Sequence, residues 1–277
     1  MKKHASTILL FFIFFIGLSL LLYPTFADWW NSFHQSRAVA SYVEQVANMD
    51  NAQYEKFWSA AWDYNRSLIE RPNDYLLSKI QKIDYQHLLN ITGNGIMGYI
   101  EIPKIDIVYP LYHGTDEAVL QIAIGHLEWT SLPVGGESSH CVISGHRGLP
   151  SARLFTDLDQ MEVGDTFLLR VLDEVLTYEV DQIKIVEPQV TEDLLIVEGE
   201  DLCTLVTCTP YGINSHRMLV RGHRVETEAV KAARRVTADA IQIEPIMVAP
   251  FVAAPMLLML LITLMIPRPK KRKEKRL

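Results

Sequence analysis

From Ala5 to Ala27 the chain has no charged residue, and from Ile246 to Ile266 it has none again. Absence of charge over such lengths excludes an ordinary solvent-exposed segment. The second run is 21 residues, and at about 1.5 Å per residue a helix of that length matches the roughly 30 Å hydrocarbon core of a bilayer. Pro250 and Pro255 lie inside it, which a membrane helix tolerates. The first run follows Lys2 and Lys3 and ends at Thr25-Phe-Ala27, a small-x-small pattern, so it reads either as a membrane anchor or as the core of an export signal. Arg268, Lys270, Lys271, Arg272, Lys273, Lys275 and Arg276 follow the second run. By the positive-inside rule both termini are expected in the cytoplasm and everything between them outside, unless the first segment is cleaved.

Basic residues are scarce between the two runs. Setting aside Lys2, Lys3, the seven basic residues of the tail and Glu274 leaves 17 basic against 32 acidic side chains, a net charge near −15. That disfavours a nucleic-acid partner and suits partners with basic or lysine-bearing surfaces. No His/Cys/Asp spacing matches a ligand set, so no metal is expected. No phosphate-cradling glycine loop occurs, so no nucleotide or other cofactor is implied. There are three cysteines, an odd count for an exported domain.

What is present is organised around Thr204-Leu-Val-Thr-Cys208-Thr-Pro-Tyr-Gly-Ile-Asn-Ser-His-Arg217. It reads as a strand ending on a cysteine, a turn rich in Pro, Gly and Asn, and a returning strand with cations. Alternation puts Leu202, Thr204, Val206 and Cys208 on one face, with the thiol at the strand end, and Arg217, Leu219 and Arg221 on one face of the return. A hairpin would bring a guanidinium toward the sulfur. Thiol acyl transfer also needs a proton acceptor. His146, in Cys141-Val-Ile-Ser-Gly-His146-Arg-Gly, ends another short apolar strand; His126, in Gly-His-Leu-Glu, is nearly its equal on the residues alone.

Elsewhere the periodicity is helical up to Pro72, with Val39, Tyr42, Val43 and Val46 on one stripe and Tyr54, Phe57, Trp58 and Ala61 on another. Asp50 and Gln53 form a capping-box pattern. From Ile96 it turns to strands, expected over 97–102, 105–109, 140–144, 165–172, 175–186, 202–208 and 216–221, with helical pieces over 116–124 and 151–159. Short strands punctuated by Pro and Gly argue for a mainly β closed barrel or sandwich. The expected organisation is an N-terminal anchor or signal over 1–27, an extracellular helical region over 28–93, a β domain over 94–226, a juxtamembrane helical stalk over 227–245, a transmembrane helix over 246–267 and a basic cytoplasmic tail over 268–277.

The cysteine strand with Arg217 nine residues beyond Cys208 resembles the signature of the sortases, cysteine transpeptidases of Gram-positive cell surfaces. The longer wording is similar to class C, the pilin polymerases: Thr130-Ser-Leu-Pro-Val-Gly-Gly-Glu137, Gly145-His-Arg-Gly-Leu-Pro-Ser-Ala, and the run from Cys208 to Arg217. The resemblance spans roughly 94–225. It implies an eight-stranded barrel, Cys208 as nucleophile, His146 as general acid and base, and Arg217 as the oxyanion partner. It also implies pilin subunits with Leu-Pro-x-Thr-Gly-like signals and acceptor lysines as partners, while the two apolar runs and the basic tail make a lipid membrane a further expected partner. Substrate contacts are expected from His126, Leu132, Thr207 and Tyr211. Class C enzymes carry an Asp-Pro-aromatic lid, which is absent here; Asp74 and Tyr75 are the nearest substitute. Cys141 and Cys203 precede His146 and Cys208 by the same interval and are candidates for a disulfide on the opposite face. Two other readings are an enzyme of the same fold that anchors proteins to peptidoglycan, and a non-enzymatic surface protein. The latter requires a Leu-Pro-x-Thr-Gly motif before the last apolar run, and 236–245 contains none.

Overall fold

The computed structural model describes residues 5–69 and 79–227. The chain divides into two compact units, with the boundary between Ala27 and Asp28. The expected lid residues Asp74 and Tyr75, the stalk beyond 227, the second apolar run and the basic tail lie outside the described residues.

Helix α1 runs from Ala5 to Ala47, and its first half carries a segment long and apolar enough to cross a membrane. Helix α2, Asn51–Ile69, begins where the capping pattern predicts: the Asp50 carboxylate accepts a hydrogen bond from the Gln53 amide at 2.7 Å, satisfying one of the unpaired donors of the first turn. Ala61 of α2, with Tyr54, Phe57, Trp58 and Trp62, packs on Tyr85, Leu89, Met97, Leu132 and Val134. Tyr85 comes from α3, Lys79–His87, a helix that the sequence reading leaves out.

The β domain is a closed eight-stranded barrel. Its strands are β1 Ile96–Ile102, β2 Ile107–His113, β3 Ile124–His126, β4 Ser139–Ser144, β5 Thr166–Val171, β6 Glu174–Val186, β7 Asp201–Thr209 and β8 His216–Val225. Around the barrel they follow the order β1-β2-β3-β4-β7-β8-β6-β5. Closure pairs every strand on both sides and removes exposed edges. Ile100, Ile102, Leu111, Ile143, Phe155, Phe167, Tyr178, Leu205 and Val220 fill the interior.

Six of the strands fall where alternation puts them, and the one expected over 105–109 is shifted: a 3₁₀ turn occupies Pro103–Ile105 and β2 runs on to His113. The piece expected to be helical over 116–124 is a single turn of helix, α4, Glu117–Leu120, followed by the three residues of β3. The piece expected over 151–159 contains only a short 3₁₀ turn at Leu158–Gln160.

Two pairings are parallel, β2 with β3 and β4 with β7; the other ladders run antiparallel. The parallel β4–β7 pair matters for function. Two strands pointing the same way deliver their C-terminal ends to the same rim of the barrel.

Candidate active site

The β4–β7 register pairs Ile143 with Leu205 and Ser144 with Val206. Beyond the last paired residue the two chains stay together: the Gly145 amide donates to the Val206 carbonyl at 3.1 Å. The Thr207 hydroxyl donates to the Gly145 carbonyl at 2.8 Å. Continued by two residues, this register sets the backbone of His146 beside that of Cys208. On the other side of β7, the antiparallel ladder pairs Cys208 directly with Arg217 of β8. The backbone positions of three residues separated by up to 71 positions therefore lie side by side at one rim.

Gly145 is needed for this crossing. A Cβ there would come within 2.7 Å of the Phe155 ring, which is fully buried in the barrel core. The loop after His146 folds back on it, with the Phe155 amide donating to the His146 carbonyl at 3.1 Å. The Gly148 amide donates to the Thr156 hydroxyl, also at 3.1 Å. Gly148 has φ +77° and no room for a Cβ, because Tyr211 from the β7–β8 turn lies 2.8 Å from that position. Tyr211 and Ile213 are largely exposed.

The side chains divide into held and open groups. Arg217 is tethered to its own turn, Nη1 donating to the carbonyls of Asn214 at 3.2 Å and His216 at 3.1 Å. Cys208 is partly exposed. His146 Nε2 is buried without a hydrogen-bond partner, and a carboxylate oxygen of Glu117 lies 3.8 Å from it. The other Glu117 oxygen accepts from the Gln121 amide. Arg147 spans the gap between loop and strand, Nη1 donating to Thr209 Oγ1 at 3.3 Å and Nη2 pairing with Asp159.

Arg221, the alternative cation on β8, is engaged elsewhere. It pairs with Thr204 in the ladder and forms a two-pronged ion pair with Asp181 at 3.0 and 2.9 Å.

Three of the four expected substrate contacts are corrected. His126, Leu132 and Thr207 are 0%, 0% and 1% exposed, which leaves them no surface for a ligand. Each is absorbed by packing. His126 bonds to the Tyr85 hydroxyl at 2.9 Å and to the Ser131 carbonyl at 2.8 Å, and Thr207 ties β7 to Gly145. Tyr211 alone of the four presents itself to solvent.

All three cysteines are free thiols, so the disulfide expected between Cys141 and Cys203 is not formed. The two are nevertheless direct neighbours in the β4–β7 register and face the barrel interior, on the opposite side of β7 from Cys208. Burial drives the Cys203 thiol well above its ordinary value. Burial also opposes ionisation of Cys141, but hydrogen bonds with Cys203 and His126 act against it and leave Cys141 the more acidic of the two.

Glu117, Arg147 and Tyr85 have no role in the sequence reading. Arg147 stands inside the quoted Gly-His-Arg-Gly motif, and its adjacency to His146 was the available signal. Glu117 reaches the site only through the fold.

A closed barrel with a cysteine, a histidine and an arginine brought to one rim by adjacent strands is the architecture of the sortases. The sortase domain model matches residues 100–225. Sortase C1 from Streptococcus agalactiae is 52% identical, covering 69% of this chain and 99% of that one, with a TM-score of 0.67. Sortase C from Streptococcus pneumoniae is 48% identical, covering 69% and 97%, with a TM-score of 0.63. Sortase D from Bacillus subtilis is 31% identical over 131 residues, 46% of this chain and 63% of that protein. The chain belongs to the sortase family, and its likeness is to the class C sortases.

Proposed function

We propose that this protein is a membrane-anchored cysteine transpeptidase that polymerises pilin subunits. The observation that carries the chemistry is the convergence of Cys208, His146 and Arg217 at one rim through the β4–β7 and β7–β8 registers. The similarity to class C sortases, one of them described for its pilin substrate specificity, supports pilins as substrates. The apolar segment of α1 supports anchoring at the membrane, with the barrel outside.

In the first half-reaction His146 takes the thiol proton, and the Cys208 sulfur attacks the Thr carbonyl of a Leu-Pro-x-Thr-Gly-like signal. Negative charge moves to the carbonyl oxygen, where Arg217 stabilises it. The intermediate collapses by breaking the Thr–Gly bond, and His146 returns its proton to the departing glycine amine. A thioacyl enzyme remains. In the second half-reaction a lysine amine of the next pilin attacks the thioester carbonyl and loses its proton to His146. The sulfur leaves, and an isopeptide bond joins the two subunits. Water in place of the amine would release the acid instead.

The test is to trap a pilin-linked thioester on Cys208 by mass spectrometry and to compare Cys208→Ala. Loss of both the adduct and the high-mass pilin ladders is expected. Ladders that persist in Cys208→Ala overturn the assignment.

A further inference from the structure

We propose that residues Asp28 to Gln35 of α1, which follow its apolar segment directly, form a positioning element of the active site. This inference rests on His146 being the general acid and base. Asp28, Asn31 and Gln35 are spaced by three and four residues, so they lie on one face of the helix. Each holds a backbone group of a loop that borders His146.

The Asp28 carboxylate accepts from the Arg153 amide at 3.0 Å, and the Asn31 amide donates to the Ser151 carbonyl at 2.6 Å. Both partners sit in the loop that leaves His146 and folds back to it through Phe155. Gln35, only 7% exposed, donates to the Ile122 carbonyl at 2.6 Å. Ile122 closes the turn of α4, whose first residue is Glu117, the carboxylate facing His146 Nε2. The same helix thus fixes the loop that carries the imidazole and the turn that carries the carboxylate opposite it. Further along that face, Tyr42 ties α1 to the barrel, donating to the Met97 carbonyl at 3.0 Å and accepting from the Leu172 amide at 2.7 Å.

Side-chain bonds to loop backbone at three points, one of them made by a buried side chain, are more than packing requires. Their common consequence is a fixed placement of the loop that follows His146 relative to the turn that carries Glu117. Catalysis by proximity is lost steeply when reacting groups shift by about 1 Å.

Isosteric substitutions separate the hydrogen bonds from packing. Asn31→Asp and Gln35→Glu turn a donor into an acceptor facing a carbonyl, whereas Asp28→Asn keeps an acceptor for the Arg153 amide. The full chain in detergent micelles is assayed by cleavage of a peptide containing Leu-Pro-x-Thr-Gly. The combined Asn31→Asp/Gln35→Glu variant is expected to lower kcat about tenfold or more with KM within about twofold. Asp28→Ala should lower kcat and Asp28→Asn should recover it. Hydrogen exchange over residues 147–156 should quicken in the impaired variants while β7 and β8 stay protected. Wild-type kcat together with unchanged exchange in the double variant overturns the proposal. If Cys208→Ala is dead while the double variant is normal, only the positioning element falls; if Cys208→Ala is active, the assignment of the site itself falls.

Discussion

Cys208 and Arg217 are direct partners across the antiparallel β7–β8 ladder, so their side chains leave the same face of the sheet. Their alignment is set by eight residue pairs along that ladder and not by the turn between them. Arg217, held by the Asn214 and His216 carbonyls, is in place before a substrate arrives.

Both carbonyls are held by Nη1 of Arg217, and lysine at position 217 keeps the charge but has no second nitrogen beside the one so engaged. Arg217→Lys is expected to lower kcat for peptide cleavage by about 10² to 10³-fold, the scale of losing one oxyanion donor, with the folded barrel retained. Arg221→Lys provides the contrast. It weakens the two-pronged contact with Asp181, so the expected outcome is a stability loss of about 1–2 kcal/mol in urea titration and nearly unchanged kcat.

Gly145→Ala puts a methyl group within 2.7 Å of the buried Phe155 ring. Overpacking of this kind costs about 1–3 kcal/mol. Because the residue next in sequence is His146, activity should fall further than stability alone accounts for. Comparing kcat with the unfolding midpoint checks this; a variant with normal values of both contradicts the packing argument.

Under native conditions an alkylating reagent should modify one thiol, that of Cys208, since Cys141 and Cys203 are 2% and 0% exposed. After denaturation without reductant it should modify three. A count of one after denaturation would mean that Cys141 and Cys203 are bridged.

His140 is buried, its Nδ1–H donating to the Leu195 carbonyl at 2.7 Å and its Nε2 2.7 Å from the Thr204 hydroxyl. Burial holds its pKa below the ordinary value near 6.5. As pH falls through that value, the unfolded chain takes up the proton and the folded chain does not, so stability declines with acid. Thermal unfolding should therefore drop below about pH 6.5, and His140→Asn should reduce the slope. An identical slope in the variant would show that the acid sensitivity arises elsewhere.

The mainly β domain is legible in the sequence because alternation survives in most strands, while its closure into a barrel follows from the resemblance to the sortases and not from the periodicity, which fits a sandwich as well. Strand β3 is not legible, since the three residues Ile124 to His126 are too few to show a period and follow a helical turn. His126 looked like a rival to His146 because a histidine after a glycine reads alike whether it points at solvent or at Tyr85. Burial of Leu132 and Thr207 was equally hidden: both lie in motif-rich stretches, yet one packs under α2 and the other bonds to Gly145. Glu117 and the contacts of Asp28, Asn31 and Gln35 join parts of the chain up to 125 residues apart, beyond anything local spacing encodes.

The parallel pairing of β4 with β7 has one more consequence. Both strands finish at the same rim whatever connects them, so the long excursion through β5 and β6 can gain or lose residues in its loops without separating thiol from imidazole. Diversification of what this enzyme recognises can then proceed by lengthening or swapping those outer loops, while the ends of the two strands stay side by side.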